Sequence, residues 1–235
     1  MPTHPEPPAS PAVRGDAAGR LRAVTAVLFD MDGTLVDSDL AVERAWLAWA
    51  DAFGVDRDLV RDGIHGSPAE VTVRRLLPEL SDAEVRAAAQ YQLDLQYDDG
   101  SASARTEGVA DILDALGAWG VPWAIVTSAD ETLARVRLDG ADLRPPLLVT
   151  ADHVERGKPD PSCYLLAAHR LGVDPSACLV VEDSDPGLVA GSAAGAVTAA
   201  LRGLDGDVRI AHVGQLVEVL AAAGLGERCS PATQG

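Results

Sequence analysis

The run Ala23-Val24-Thr25-Ala26-Val27-Leu28-Phe29, followed by Asp30-Met31-Asp32-Gly33-Thr34, decides how the rest of the chain is read. A short apolar and β-branched stretch of this kind predicts a strand buried on both faces, as in a parallel sheet. It stops at two carboxylates and a glycine, and Gly33 permits a tight turn there. Ligands of doubly wound sheets collect at the carboxyl ends of the strands. Asp30 and Asp32 are therefore the first candidates for chemistry.

Moving outward, the pattern becomes helical over 39–53. Val42, Trp46, Trp49 and Phe53 fall on one helix face, and Gly54 fits the C-cap. A second helix is expected over 68–77 with Pro68 in its first turn. A third begins at Ser81, which forms a capping-box pattern with Glu84, and runs to about residue 97. Trp46 and Trp49 read as core of this helical stretch. From 107 onward helices and strands alternate. Helices are expected over 107–119, 131–138, 161–171, 186–194 and 215–223, and strands over 122–127, 147–150, 178–181 and 196–201. Alternation predicts an α/β fold, a Rossmann-like doubly wound parallel sheet with an inserted helical segment. The expected organisation is a disordered leader over 1–22, a sheet core over 23–38 and 101–225, a helical unit over 39–100, and a tail over 226–235.

The 235 residues are 47% hydrophobic and only 4% aromatic, so small aliphatic side chains fill the core. The formal net charge of −17 argues against nucleic acid, whose phosphates demand Lys and Arg, and against anionic membranes. Cys163, Cys178 and Cys229 are odd in number and contain no CxxC, so neither a disulfide framework nor a zinc site is expected. No stretch approaches the roughly 18 apolar residues of a membrane span. The first 22 residues are rich in Pro and Ala and lack the apolar segment of a signal peptide. A cytoplasmic protein, monomeric or weakly homo-oligomeric, is expected.

The polar residues at the other strand ends complete a set. The 122–127 strand ends in Thr127 and Ser128, and the 178–181 strand runs into Glu182 and Asp183. Lys158 lies in Gly157-Lys158-Pro159, in a loop before a helix. Four carboxylates placed close together repel one another unless a cation sits among them. All-oxygen ligation suits Mg²⁺. The Thr127 hydroxyl and the Lys158 ammonium suit phosphate oxygens, and Lys158 suits the charge of a phosphoryl-transfer transition state.

With these residues in order the chain resembles the haloacid dehalogenase superfamily, in its helical-cap, β-phosphoglucomutase-like branch, over about residues 23 to 224. Motif one is Asp30-Met31-Asp32-Gly33-Thr34-Leu35-Val36-Asp37-Ser38, and motif two centres on Thr127. Motif three centres on Lys158, and motif four is Glu182-Asp183-Ser184-Asp185-Pro186-Gly187. The resemblance implies a Mg²⁺-dependent phosphatase. Asp30 would be the nucleophile that forms an aspartyl-phosphate, and Asp32 the general acid and base. Asp30, the Asp32 carbonyl, Asp183 and Glu182, directly or through water, would hold the metal. Gly33 and Thr34 would shape the turn, with backbone N–H groups there on phosphate, and Ser128 would contact phosphate or cap. His65 and Gly66 fall between two cap helices, where the resemblance puts a specificity loop; the alternative is an ordinary loop histidine.

The resemblance points to a small sugar or polyol phosphate as substrate. A sugar phosphomutase shares the fold, metal and nucleophile. Mutases of that kind usually carry Val where Thr34 stands and Thr where Ser38 stands. A silent phosphometabolite-binding protein is a third reading, against which the intact Asp30, Asp32, Lys158 and Asp183 count. One departure is Thr106-Glu107-Gly108, where relatives commonly have Pro-Gly; it touches the cap hinge.

Overall fold

A computed structural model of the chain describes residues 10–61, 69–97 and 103–228. The described strands are β1 (Ala12–Val13), β2 (Ala26–Phe29), β3 (Val36–Asp37), β4 (Ala104–Arg105), β5 (Trp123–Val126), β6 (Leu148–Val149), β7 (Cys178–Glu182), β8 (Val197–Ala200) and β9 (Val208–Arg209). Seven of them form one sheet in the order β1-β9-β8-β7-β2-β5-β6, and β3 and β4 pair separately. Every pairing in the large sheet is parallel except β1 with β9. The fold is therefore the expected α/β sheet. β2 lies inside it, between β7 and β5, and all four of its residues are buried.

Alternation along β2 feeds both faces of the sheet. Val27 and Phe29 join a cluster with Ile112 and Leu116 of α6 (Val109–Trp119), Ala134 and Leu138 of α7 (Glu131–Gly140), and Leu216 and Leu220 of α10 (Leu216–Ala222). Ala26 and Leu28 pack on the other face against Tyr164 and Ala168 of α8 (Ser162–Leu171) and Ala190 of α9 (Asp185–Ala193).

The β3–β4 ribbon brackets a helical insertion of α2 (Asp39–Phe53), α3 (Arg57–Arg61), α4 (Ala69–Leu76) and α5 (Asp82–Tyr97). The insertion has its own apolar cluster, centred on Trp46, Trp49, Val73, Val85 and Ala88. The Trp49 indole donates to the Ala88 carbonyl at 2.9 Å, which satisfies its one polar atom in the core. Gly54 takes the left-handed conformation, φ 68°, that closes α2. Ser81 and Glu84 exchange hydrogen bonds ahead of α5.

Two expectations are corrected. Residues 10–22 are not a disordered leader: β1 extends the sheet edge by pairing with β9, and α1 (Ala17–Leu21) buries Ala17 and Leu21. The expectation for residues 1–9 lies outside the described residues. The tail begins later than residue 226, because α11 (Leu225–Arg228) buries Leu225 against the core and a Cβ at Gly226 would meet the Trp119 indole. Both stretches are short and contain Gly and several charges, so neither carries a readable period.

Candidate active site

Strand register assembles the site. Phe29 pairs with Val181 on one side and Ile125 on the other. Residues that follow these partners emerge side by side at the carboxyl edge, a strand spacing apart. Asp30 is fixed there by its N–H, which donates to the Val181 carbonyl at 2.9 Å, and Thr127 by its N–H to Val149 at 2.9 Å.

Lys158 reaches into this edge from the loop between β6 and α8. Its ammonium stands 2.5 Å from Asp30 Oδ1 and 2.7 Å from Glu182 Oε1, and donates to the Val126 carbonyl at 2.9 Å. Burial alone would lower the Lys158 pKa; Asp30 and Glu182 more than reverse this and hold it charged. The Tyr164 hydroxyl donates to Glu182 Oε1 at 2.6 Å and the Ser184 hydroxyl to Oε2 at 2.9 Å. Glu182, fully buried, is thus pinned through both oxygens.

One carboxylate oxygen from each of Asp30, Glu182 and Asp183 lies within 4.8 Å of the other two. Burial pushes Asp183 up to about 7 against the pull of Arg202. Burial also drives Asp30 well upward, with Glu182 and Asp183 adding to the rise and Lys158 opposing it. The two cations therefore leave the cluster short of positive charge. Three hard oxygen donors in that condition fit a hard divalent cation. The Asp32 carboxylate is not among the three. Its Oδ1 stands 3.5 Å from Arg137 Nε. Burial raises its pKa, while a hydrogen bond from Ser38 and the charge of Arg137 lower it.

The turn after β2 requires Gly33. Its φ is +78°, and a Cβ there would come within 2.0 Å of Asp183 Oδ2. The Gly33 N–H is spent on the Val36 carbonyl at 2.7 Å and that of Thr34 on Met31 at 3.3 Å. These two N–H groups are turn bonds and do not point to a ligand. Among the described residues, no backbone carbonyl takes the N–H of Met31 or Asp32. Thr34 is buried, and its hydroxyl has no partner among the described residues. The Thr127 hydroxyl is buried and accepts from the Ala129 N–H at 3.0 Å, which leaves its own proton to donate. Ser128 is exposed. His65 and Gly66 lie outside the described residues.

A model of the haloacid dehalogenase-like hydrolases matches residues 24–195. The chain belongs to the haloacid dehalogenase-like hydrolases. This hydrolase is 42% identical to hexitol phosphatase A of Escherichia coli over 169 residues, 72% of this chain and 78% of that protein. It is 34% identical over 216 residues to N-acetylmuramic acid 6-phosphate phosphatase of Pseudomonas aeruginosa, covering 84% of this chain and 95% of that one. Among solved structures it resembles a family hydrolase of Deinococcus radiodurans with bound phosphate and sodium. The TM-score is 0.64 at 27% identity, over 90% of this chain and all of that one. The protein is an enzyme, a phosphatase of this family.

Two residues of this hydrolase's site escape the motifs. Arg202, just after β8, bridges Asp183 Oδ2 at 2.8 Å and Asp39 Oδ1, at the start of α2, at 2.9 Å. Nothing in its sequence context marks it. Arg137 did carry a signal: on α7 it falls at i+4 from Leu133 and i+3 from Ala134, and beside Leu138. All of these are buried, so a guanidinium stands on a core face.

Proposed function

We propose that the protein hydrolyses a small phosphate monoester of a sugar or polyol, with Mg²⁺ and through an aspartyl-phosphate on Asp30. The observation that carries this reading is the Lys158 ammonium held between Asp30 and Glu182 beside the three-carboxylate cluster. It gives a nucleophile, a charge stabiliser and hard ligands at one strand edge. The substrate class rests on the relatives, a hexitol phosphatase and a sugar-acid 6-phosphate phosphatase.

Asp30, Glu182 and Asp183, with the Asp32 carbonyl, would hold Mg²⁺, whose charge offsets that of the phosphoryl group and the attacking carboxylate. Asp30 attacks phosphorus as the P–O bond to the leaving alcohol breaks. Asp32 gives the departing oxygen its proton, then takes one from the water that attacks phosphorus and frees Asp30. Lys158 and the Thr127 hydroxyl hold phosphoryl oxygens, and the N–H groups of Met31 and Asp32 serve the same group. The helical insertion is read as a cap that covers the ester. The enzyme is read as cytoplasmic, monomeric or weakly homo-oligomeric, and without nucleic-acid or membrane partners. Among the described residues no helix is long and apolar enough to cross a membrane.

The test is phosphate release from sugar, polyol, glycolate and nucleotide monophosphates with Mg²⁺, with Asp30→Asn as blank. Release from sugar or polyol esters, abolished in the blank, supports the reading. Release only from another class removes the substrate assignment. Phosphoryl transfer between sugar positions without free phosphate replaces hydrolysis by a mutase reaction.

A further inference from the structure

Arg137 is fully buried, and its guanidinium meets three separate parts of the chain. Its Nε stands 3.5 Å from Asp32 Oδ1, in the loop after β2. Its Nη2 donates to Gln96 Oε1, in the last turn of α5, at 2.9 Å. Its Nη1 reaches the Ser103 hydroxyl, where the chain returns from the insertion, at 3.4 Å. A buried guanidinium is costly unless paired and hydrogen-bonded. Here its partners come from the acid–base loop, the insertion and the return segment together.

The same end of α5 is seated twice on α7. Next to Gln96, the Tyr97 hydroxyl donates to Asp130 Oδ2 at 2.6 Å. Asp130 is the N-cap of α7 and accepts from the Leu133 N–H through its other oxygen. Gln96 is itself held, since its amide donates to Gln92 Oε1 at 2.9 Å, inside α5. A chain of contacts thus runs from the insertion through Gln92, Gln96 and Arg137 to Asp32.

Asp32 supplies an independent second observation. Its Oδ1 is sealed from solvent and takes no hydrogen bond among the described residues. The side chain as a whole is nevertheless 34% accessible. One oxygen thus faces Arg137 inside the protein, while the side chain keeps an accessible part through which a leaving group can be met.

We propose that Arg137 is a positioning residue that fixes the Asp32 carboxyl and, through Gln96 and Ser103, makes its orientation depend on the seating of the helical insertion. The assignment rests on the phosphatase reading, in which Asp32 protonates the leaving oxygen. In this role Arg137 acts on the reaction through Asp32, and the end of α5 acts through Arg137.

The leaving group separates this role from a structural one. An alkoxide needs the proton from Asp32 as it departs, whereas p-nitrophenolate leaves without one. Because kcat/KM reports steps up to formation of the phosphoenzyme, the later hydrolysis, common to both esters, does not enter. We would compare kcat/KM for the alkyl phosphate that the wild type cleaves fastest with that for p-nitrophenyl phosphate, at saturating Mg²⁺. Asp32→Asn is the reference. Arg137→Lys keeps the charge but loses the planar fork. Its expected loss is about tenfold on the alkyl ester and under about threefold on the aryl ester. That is a fraction of the 10²–10⁴ that general acid catalysis supplies. Gln96→Leu, at the insertion side, should shift the ratio the same way by about threefold. Equal losses on the two esters in both variants, or a shift with Arg137→Lys and none with Gln96→Leu, would overturn the proposal. If Arg137→Lys does not fold, Gln96→Leu alone decides it. A wild type that cleaves neither ester would instead overturn the phosphatase reading on which the proposal stands.

Discussion

Lys158 sits where three acceptors converge, and its charge is the condition on which Asp30 and Glu182 share a buried edge. Lys158→Met keeps the length and removes the charge. Breaking a buried pair of this kind costs about 3–5 kcal/mol. Asp30, already raised by burial and held down by Lys158, would then rise further, so its contribution to stability is present at low pH and lost as pH rises through its folded value. The deficit against wild type, measured by urea unfolding in chelator, should be largest at pH 8 and clearly smaller at pH 5. A deficit of equal size at both would mean that Lys158 does not act by neutralising Asp30. Gly33→Ala acts in another way. It places a methyl 2.0 Å from Asp183 Oδ2 and 2.7 Å from an Arg202 nitrogen, at a φ of +78°. The left-handed backbone costs about 1–2 kcal/mol, a fall of several degrees in Tm. Displacement of Asp183 should cost far more in phosphate release, about 100-fold or greater, on the scale of losing a well-placed electrostatic group. Full activity in Gly33→Ala would show that the loop moves freely of Asp183.

The helical insertion has its own apolar cluster and joins the sheet core through the β3–β4 ribbon, α5's last turn and Arg202. Its integrity should therefore be separable from that of the core. Trp49 is fully buried and donates to Ala88, so Trp49→Ala removes a large core side chain and the bond that ties α2 to α5. A loss of about 3–5 kcal/mol is expected at that site. Amide exchange should speed in α2, α4 and α5 while β2 and β7 keep their protection. Equal loss of protection in both regions would show one cooperative unit. In this insertion α2, α4 and α5 were readable, α2 and α5 because they carry long amphipathic faces with caps, whereas α3, five residues between two of them, was not; β2, β5, β7 and β8 were readable as apolar runs. Of the two-residue strands, β6 was readable from the apolar run around it, whereas β1, β3, β4 and β9 were not, because they sit in no such run and their two residues hold no period. Among site residues, those standing at strand ends were legible. Arg202 was not read because it acts across an element boundary that only the packing creates; Arg137 stood on a helix's core face, but its partners are brought together only by the packing.

The whole molecule carries a formal charge of −17 and concentrates three of its carboxylates at one buried edge. This arrangement makes metal, protons and stability compete in one place. Asp183, ordinarily 3.8, is pushed up to about 7 by burial. A raised folded value means that its contribution to stability is full below about 4 and is lost as pH rises through about 7. Metal-free wild type should therefore lose stability relative to Asp183→Asn between pH 5 and pH 8, because the variant carries no proton to release. A divalent ion must take the deprotonated carboxylate. The apparent affinity for Mg²⁺ should then rise by up to about tenfold per pH unit below about 7 and level off above it. At pH 8 Mg²⁺ should restore the lost stability in wild type, in proportion to its concentration over Kd. In Asp183→Asn, which lacks a ligand, the effect should be much weaker. Thermal unfolding across a Mg²⁺ series at pH 5.5, 6.5, 7.5 and 8 would measure all three effects. A Mg²⁺-dependent rise in Tm of the same size at every pH would show that the ion does not compete with the proton on Asp183, and would move the metal away from this cluster.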